Sequence, residues 1–254
     1  MLYRSSATIL AAASFGVTLL AATPALAEAK NIVLVHGMNM TGGLWRGVHD
    51  GLVANDYEVT VVQMPLTSFE ADLTAVERAL KMQDGPVVLV GHSYGGFVLG
   101  EAGMDPDVEA LVYVAGFLPK VGETQAELTA ASVSHLTSEA LQFFEDGHFL
   151  IDTRAWIENV ANGADPDDAR FTAQSQIAGN SAAFSYPATA AAWKEKPTWS
   201  VIATEDRTIA PDLQRQMSER AGATVVQVAG GHLVPMTNPD AVVQTIMQAA
   251  QSTE

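Results

Sequence analysis

The run Val87-Val88-Leu89-Val90 passes without a break into Gly91-His92-Ser93-Tyr94-Gly95-Gly96, and this junction restricts the fold more than any other stretch. Four consecutive apolar residues read as a strand covered on both faces. The glycines around Ser93 permit a sharp strand-to-helix reversal where a Cβ would collide. Such a G-x-S-x-G turn lifts the serine hydroxyl clear of a sheet, at a helix N-terminus whose free N–H groups favour a developing anion. A strand buried on both faces belongs to a parallel sheet, which needs crossover segments, and the rest of the chain supplies them.

Strands are predicted at 31–36, 57–63, 110–115, 198–203 and 224–228, with helices at 44–53, 69–82, 94–104, 211–221 and 239–251. Ser68 is placed to cap the second helix, with Glu70 and Asp72 in its first turn where the helix dipole prefers acids. Strand–helix alternation of this kind predicts an α/β fold, a mostly parallel six-stranded sheet with helices on both faces. The rhythm stops at about 117–196. Helical segments are expected at 138–145, at 153–160, and from Asp165 with Pro166 in the first turn. About eighty residues between two sheet strands read as an inserted helical cap rather than a loop.

Residues 1–27 stand apart. Arg4 is the sole charge before Glu28, residues 8–22 form an apolar core, and Ala25-Leu26-Ala27 is a small-x-small cleavage signal. They read as a signal peptide cleaved after Ala27, leaving a domain at 28–254 in the periplasm or secreted. With no twin-arginine pair, the general secretory route of a bacterium is the simplest expectation. A membrane anchor is the competing reading, but the apolar run is short for a spanning helix. The 254 residues hold 13 basic and 29 acidic side chains, a net charge of −16. No basic cluster stands out, which argues against nucleic acid and anionic membrane surfaces as partners. With no cysteine in the chain, neither a disulfide framework nor a thiolate-ligated metal is available. Asp165, Asp167 and Asp168 lack a calcium-loop spacing and read as a helix start.

A serine hydroxyl needs a base in hydrogen-bond reach and a group to orient that base. Among six histidines, His232 follows the last strand directly in Gly230-Gly231-His232. It falls at the carboxyl edge of the sheet, where catalytic groups of open α/β sheets collect. His92 reads as packing beside the turn and His36 as a residue ordering the loop after the first strand; His49, His135 and His148 read as structural or exposed. The orienting acid is expected after the preceding strand, in Thr204-Glu205-Asp206-Arg207. Asp206 is the first candidate there and Glu205 the competitor, while Asp212 reads as a helix-start residue. Oxyanion donors would be the backbone N–H groups of Tyr94 and of Met38, the latter following His36-Gly37.

Together, Leu34-Val35-His36-Gly37, Gly91-His92-Ser93-Tyr94-Gly95-Gly96, Thr204-Glu205-Asp206-Arg207 and Gly231-His232 resemble an α/β-hydrolase. The chain is most similar to the compact serine esterase branch that includes plant methyl-ester esterases and hydroxynitrile lyases. The resemblance extends over Pro65-Leu66-Thr67-Ser68 and Leu111-Val112-Tyr113-Val114-Ala115, so it covers essentially all of 28–254. It implies the α/β-hydrolase fold, a helical cap, no cofactor and no metal. The implied activity is hydrolysis of a small-to-medium, largely apolar carboxylic ester through an acyl-enzyme. A cofactor-free lyase or C–C bond hydrolase with the same residues is the alternative. Hydroxynitrile lyases of this branch carry a lysine shortly after the catalytic histidine; this chain reads His232-Leu233-Val234-Pro235. Phe117, Leu118, Phe143, Phe144, Phe149 and Trp156, with Met38 and Leu233, are apolar candidates for the pocket wall. Most of the aromatics among them are better explained by packing of cap on core.

Overall fold

Uniformly apolar strands need cover on both faces, and the middle of the sheet has it. The computed structural model describes residues 29–252; the cleavage site expected after Ala27 lies outside them. The main sheet begins with β1 (Asn31–Val35), β2 (Glu58–Val62), β3 (Val87–His92) and β4 (Val108–Val114). A separate antiparallel sheet holds β5 (Leu141–Phe143), β6 (His148–Ile151) and β7 (Gly179–Asn180), and β8 (Thr198–Ala203) and β9 (Thr224–Val228) complete the main sheet. The six main strands are all parallel, in the order β2-β1-β3-β4-β8-β9. β1, β3 and β8 are buried throughout, while the edge strands β2 and β9 retain Glu58, Thr60, Thr224 and Gln227.

The helices are α1 (Arg46–Val53), α2 (Phe69–Leu80), α3 (Tyr94–Ala102), α4 (Gln125–Ala130) and α5 (Thr153–Ala155). They continue with α6 (Pro166–Gln174), α7 (Pro211–Ala221), α8 (Val234–Thr237) and α9 (Pro239–Gln251). Alternate residues of each strand feed opposite cores. Val33, Leu89 and Leu111 meet Phe97 and Leu99 of α3 and Met217 of α7 on one face. Ile32, Val88 and Val112 meet Leu52 of α1 and Ile246 of α9 on the other. Each fully buried aliphatic side chain contributes roughly 1.5–3 kcal/mol. Ser68 caps α2 as expected, its Oγ accepting from the Ala71 N–H at 3.2 Å. Asp165 caps α6 by accepting from the N–H groups of Asp167 and Asp168.

The chain moves outward from β1 to β2, then returns to place β3 on the other side of β1. At such a reversal the loops beyond the two central strands diverge and leave a crevice. The loop after β1 and the turn after β3 therefore face each other. Their backbones nearly touch: a Cβ on Gly95 would lie 2.6 Å from the carbonyl oxygens of both Val35 and His36.

The segment between β4 and β8 forms the cap, and it is not wholly helical. The helix expected at 138–145 is replaced by a 3-10 turn, Ser138–Ala140, and then by β5, which pairs with β6. The reason is the turn Asp146-Gly147, with Gly147 at φ 84° and Asp146 Oδ1 accepting from the His148 N–H. An Asp-Gly pair closes hairpins, and here it overrides the helical reading. The segment expected at 153–160 is helical but changes type, α5 running on as a π-helical turn over Trp156–Val160.

Gly95→Ala is expected to lower the unfolding midpoint in urea, since overpacking against fixed backbone costs ~1–3 kcal/mol. A midpoint equal to the parent's would show that β1 and α3 can separate without loss.

Candidate active site

Ser93 sits at φ 54°, ψ −122°, between the last residue of β3 and the first of α3. This left-handed conformation is costly for any residue with a Cβ. It is held by its surroundings: the Ser93 N–H donates to the Val114 carbonyl at 3.3 Å, and its own carbonyl accepts from Gly96 and Phe117 at 3.0 and 3.1 Å. His232 follows β9 and Asp206 follows β8, so three parallel strands deliver three side chains to one edge. His232 Nε2 lies 2.9 Å from Ser93 Oγ, and His232 Nδ1 lies 2.7 Å from Asp206 Oδ2. All three residues are buried.

The hydrogen bonds around Asp206 settle the direction of the chain of protons. Oδ1 accepts from the N–H groups of Thr208 and Ile209 at 2.7 and 2.9 Å; Oδ2 accepts from Gln214 Nε2 at 2.8 Å. A carboxylate so occupied is an acceptor only. His232 Nδ1 therefore carries the proton, and the Nε2 lone pair faces the serine hydroxyl. Glu205, the competing carboxylate, is exposed. The N–H groups of Met38 and Tyr94 have no acceptor among the described residues and belong to the two segments that face each other across the crevice.

The other histidines near the turn are neutral supports. His92 Nε2 donates to the His232 carbonyl at 2.8 Å, fixing the backbone of the loop. Burial, and the neighbouring His232, hold its pKa well below the usual value. His36 Nδ1 donates to the Gly37 carbonyl while its Nε2 accepts from the Met64 N–H at 3.0 Å, so it orders the loop after β1 as expected. Burial lowers its pKa as well.

Two supports escaped the sequence reading. Asn39, next to Met38, stands at φ 59°, and its Nδ2 donates to the cap carbonyls of Phe149 and Ile177 at 2.9 and 3.1 Å. An asparagine after a glycine loop is a known carrier of positive φ, and that was the available signal. Asp72 looks like an ordinary helix-start acid, yet it is fully buried. It accepts from the Leu66 N–H at 2.7 Å and the Tyr94 hydroxyl at 2.9 Å, tying α2 to the first residue of α3. Burial raises its carboxyl from the usual 3.8 to about 6. Burial and the Asp72 charge push the Tyr94 phenol far above its ordinary range.

Ser93 and His232 form part of the wall of a cavity of about 580 Å³ roofed by the cap. Of the expected wall residues, Met38, Phe117, Phe149 and Trp156 line it. Leu118 does not: it is packed inward, its N–H directed at Met217 Sδ. Phe144 is 52% exposed beside the β5–β6 turn, and Phe143 is exposed on β5. Leu233 lines a neighbouring cavity of about 260 Å³ between the loop at 39–46 and α6. Apolar character alone does not say which way a side chain points. Phe184, Ile209 and Gln125 join the wall from irregular or short elements that no periodicity marks.

The fold and this constellation define a hydrolase of the α/β class. The family model described as "Alpha/beta hydrolase family" matches residues 32–245, and the chain belongs to that family. Among its relatives is the alpha/beta hydrolase nvfD of Aspergillus novofumigatus, 28% identical over 242 residues, covering 86% of this chain and 96% of the relative. The probable hydrolase R7 of a Phoma species is 26% identical over 213 residues, covering 78% and 86%. Similar solved structures include a pyrethroid hydrolase from Sphingobium faniae, at TM-score 0.72 and 20% identity over 88% of this chain and 98% of that one. Polyneuridine aldehyde esterase superposes at TM-score 0.75 with 16% identity over 86% and 98%, and an Arabidopsis methylesterase at 0.72 with 16% over 87% and 99%. At these identities the structural likeness is one of fold.

Asp72 binds its proton more tightly in the folded chain than in the unfolded one. Its contribution to stability is complete below pH ~4 and declines as the pH rises through about 6. Between pH 4 and 7 the unfolding free energy of Asp72→Asn should gain on the parent by up to ~3 kcal/mol. A difference independent of pH would place the charge elsewhere.

Proposed function

We propose that the protein is a serine carboxylesterase acting on uncharged, largely apolar esters through an acyl-enzyme. The observation that carries this reading is the continuous Ser93–His232–Asp206 hydrogen-bonded chain in the wall of a cavity with no Asp, Glu, Lys or Arg in its lining. Ser93 Oγ attacks the ester carbonyl carbon as His232 Nε2 takes its proton. The oxyanion is received by the N–H groups of Met38 and Tyr94. The imidazolium, stabilised by Asp206, returns the proton to the departing alcohol. A water then loses a proton to the same nitrogen, attacks the acyl carbon, and releases the acid with Ser93 restored.

Support for an ester, rather than another carbonyl substrate, comes from the solved neighbours, named as a pyrethroid hydrolase, an aldehyde esterase and a methylesterase. The hydroxynitrile lyase form of the alternative relies on a lysine shortly after the histidine, and the chain continues there with Leu233-Val234-Pro235; product analysis separates the other forms from an esterase. Export of the enzyme, with removal of residues 1–27, rests on the composition of that segment; the first residues of the mature protein, read by N-terminal sequencing, test it.

Initial rates on p-nitrophenyl acetate, butyrate and octanoate test the activity. Ser93→Ala should lower kcat by ~10⁵–10⁶ and Asp206→Asn by ~10⁴. If the folded parent is no faster than Ser93→Ala on all three esters, the esterase reading fails.

A further inference from the structure

Most polar side chains deep in the catalytic cavity are already committed. Asn39 Nδ2 is spent on two cap carbonyls, and Ser134 Oγ donates to the Thr208 carbonyl at 2.9 Å. Thr129, Thr137 and Ser138 lie at the exposed rim, open to solvent. Gln125 is different. It is 8% exposed and lines the cavity, yet its Oε1 is buried without any hydrogen-bond partner. Among the described hydrogen bonds none uses its Nε2 either.

This is no accident of a loosely held side chain. Gln125 is the first residue of α4, whose start is locked by a capping box. Thr124 Oγ1 accepts from the Glu127 N–H at 3.1 Å, and Glu127 Oε2 accepts from the Thr124 N–H at 2.9 Å. The backbone carrying Gln125 is thereby fixed beside the cavity. An unsatisfied buried amide lowers stability, and a leucine would fill the same place without that penalty. Buried polar groups left open in a native structure call for an explanation beyond packing.

We propose, building on the esterase reading, that Gln125 is the specificity residue of this site. It recognises a hydroxyl carried by the substrate away from its ester group, so the preferred substrate is a lipophilic hydroxy-ester. Oε1 itself is closed off; a turn of the amide about its soft terminal torsion brings it to a hydroxyl in the cavity, which then donates to Oε1 and accepts from Nε2. A site built to bind a hydroxyl discriminates strongly against the analogue lacking it, because the protein group is then left unpaired.

The test compares methyl octanoate with its 6-, 7- and 8-hydroxy derivatives, and octyl acetate with 6-, 7- and 8-hydroxyoctyl acetate. At one position in one series the parent should favour the hydroxy-ester at least tenfold in kcat/KM. In Gln125→Leu that ratio should fall to within twofold of one. Gln125→Leu should also melt no lower than the parent, since an orphaned amide has been removed. A lower melting temperature, or a ratio unchanged by the substitution, assigns Gln125 to structure and overturns the proposal. So does the absence of any preference above twofold in the parent. Because binding needs no turnover, calorimetry of 1-octanol and the 1,6-, 1,7- and 1,8-octanediols with Ser93→Ala, with and without Gln125→Leu, separates the two readings. A diol preference lost with Gln125 sustains the recognition even if no ester is cleaved; equal affinities for alcohol and diols overturn it.

Discussion

At φ 54° the Ser93 backbone occupies a region that costs an L-residue about 1–3 kcal/mol, and its neighbours must hold it there. The means are distributed. Val114 and Phe117 hold its peptide groups from the β4 side. The fully buried strands β1 and β3 fix the register, with Val35 opposite Gly91. Close backbone contact at Gly95 then seats the first turn of α3 against the end of β1. Together they keep the serine hydroxyl 2.9 Å from His232 Nε2. The two cores on either side of the sheet are what make so local a distortion sustainable.

The cap is attached by the same currency of backbone carbonyls. Besides Asn39, the Asn180 N–H donates to the Leu66 carbonyl at 2.8 Å. Asn162 Nδ2 donates to the Glu205 carbonyl at 2.9 Å, and Arg207 Nη1 reaches the Glu158 carbonyl at 3.1 Å. The cap therefore grips the loop after β1, the segment before α2 and the loop bearing Asp206. These loops frame the crevice. Carbonyl acceptors make no demand on the residue that carries them, so these particular attachments constrain few side chains beyond the donors.

Much of this was legible in the chain, and the reasons differ by element. The main strands announce themselves because burial on both faces keeps most positions of the inner ones apolar, as in Val87-Val88-Leu89-Val90. Ser93, Asp206 and His232 were found because each follows a strand that could be placed, and a parallel sheet sends all such positions to one edge. The β5–β6 hairpin was missed because strands of three and four residues are too short to establish a period; only Asp146-Gly147 marked it. Asp72 was read correctly as a helix-start acid, but no local pattern tells that its far side would meet Tyr94, 22 residues on. Leu118, Phe144 and Leu233 were named from hydrophobicity, which carries no direction. Gln125 gave no signal at all, since an amide at the start of a short helix looks like any solvent-facing residue.

Because the main strands all run one way, the molecule has two unlike rims. At one, tight links such as Asp84-Gly85 and Asp105-Pro106-Asp107 merely return the chain to the next strand. At the other lie the serine turn, the acid loop, the histidine loop and the whole cap. The segment between β4 and β8 can therefore be lengthened, shortened or recomposed without altering a single strand register. Diversification of what such a scaffold accepts is confined by geometry to one side of the molecule, within the limits set by the bonds that tie the cap to the Asn39 and Asp206 loops.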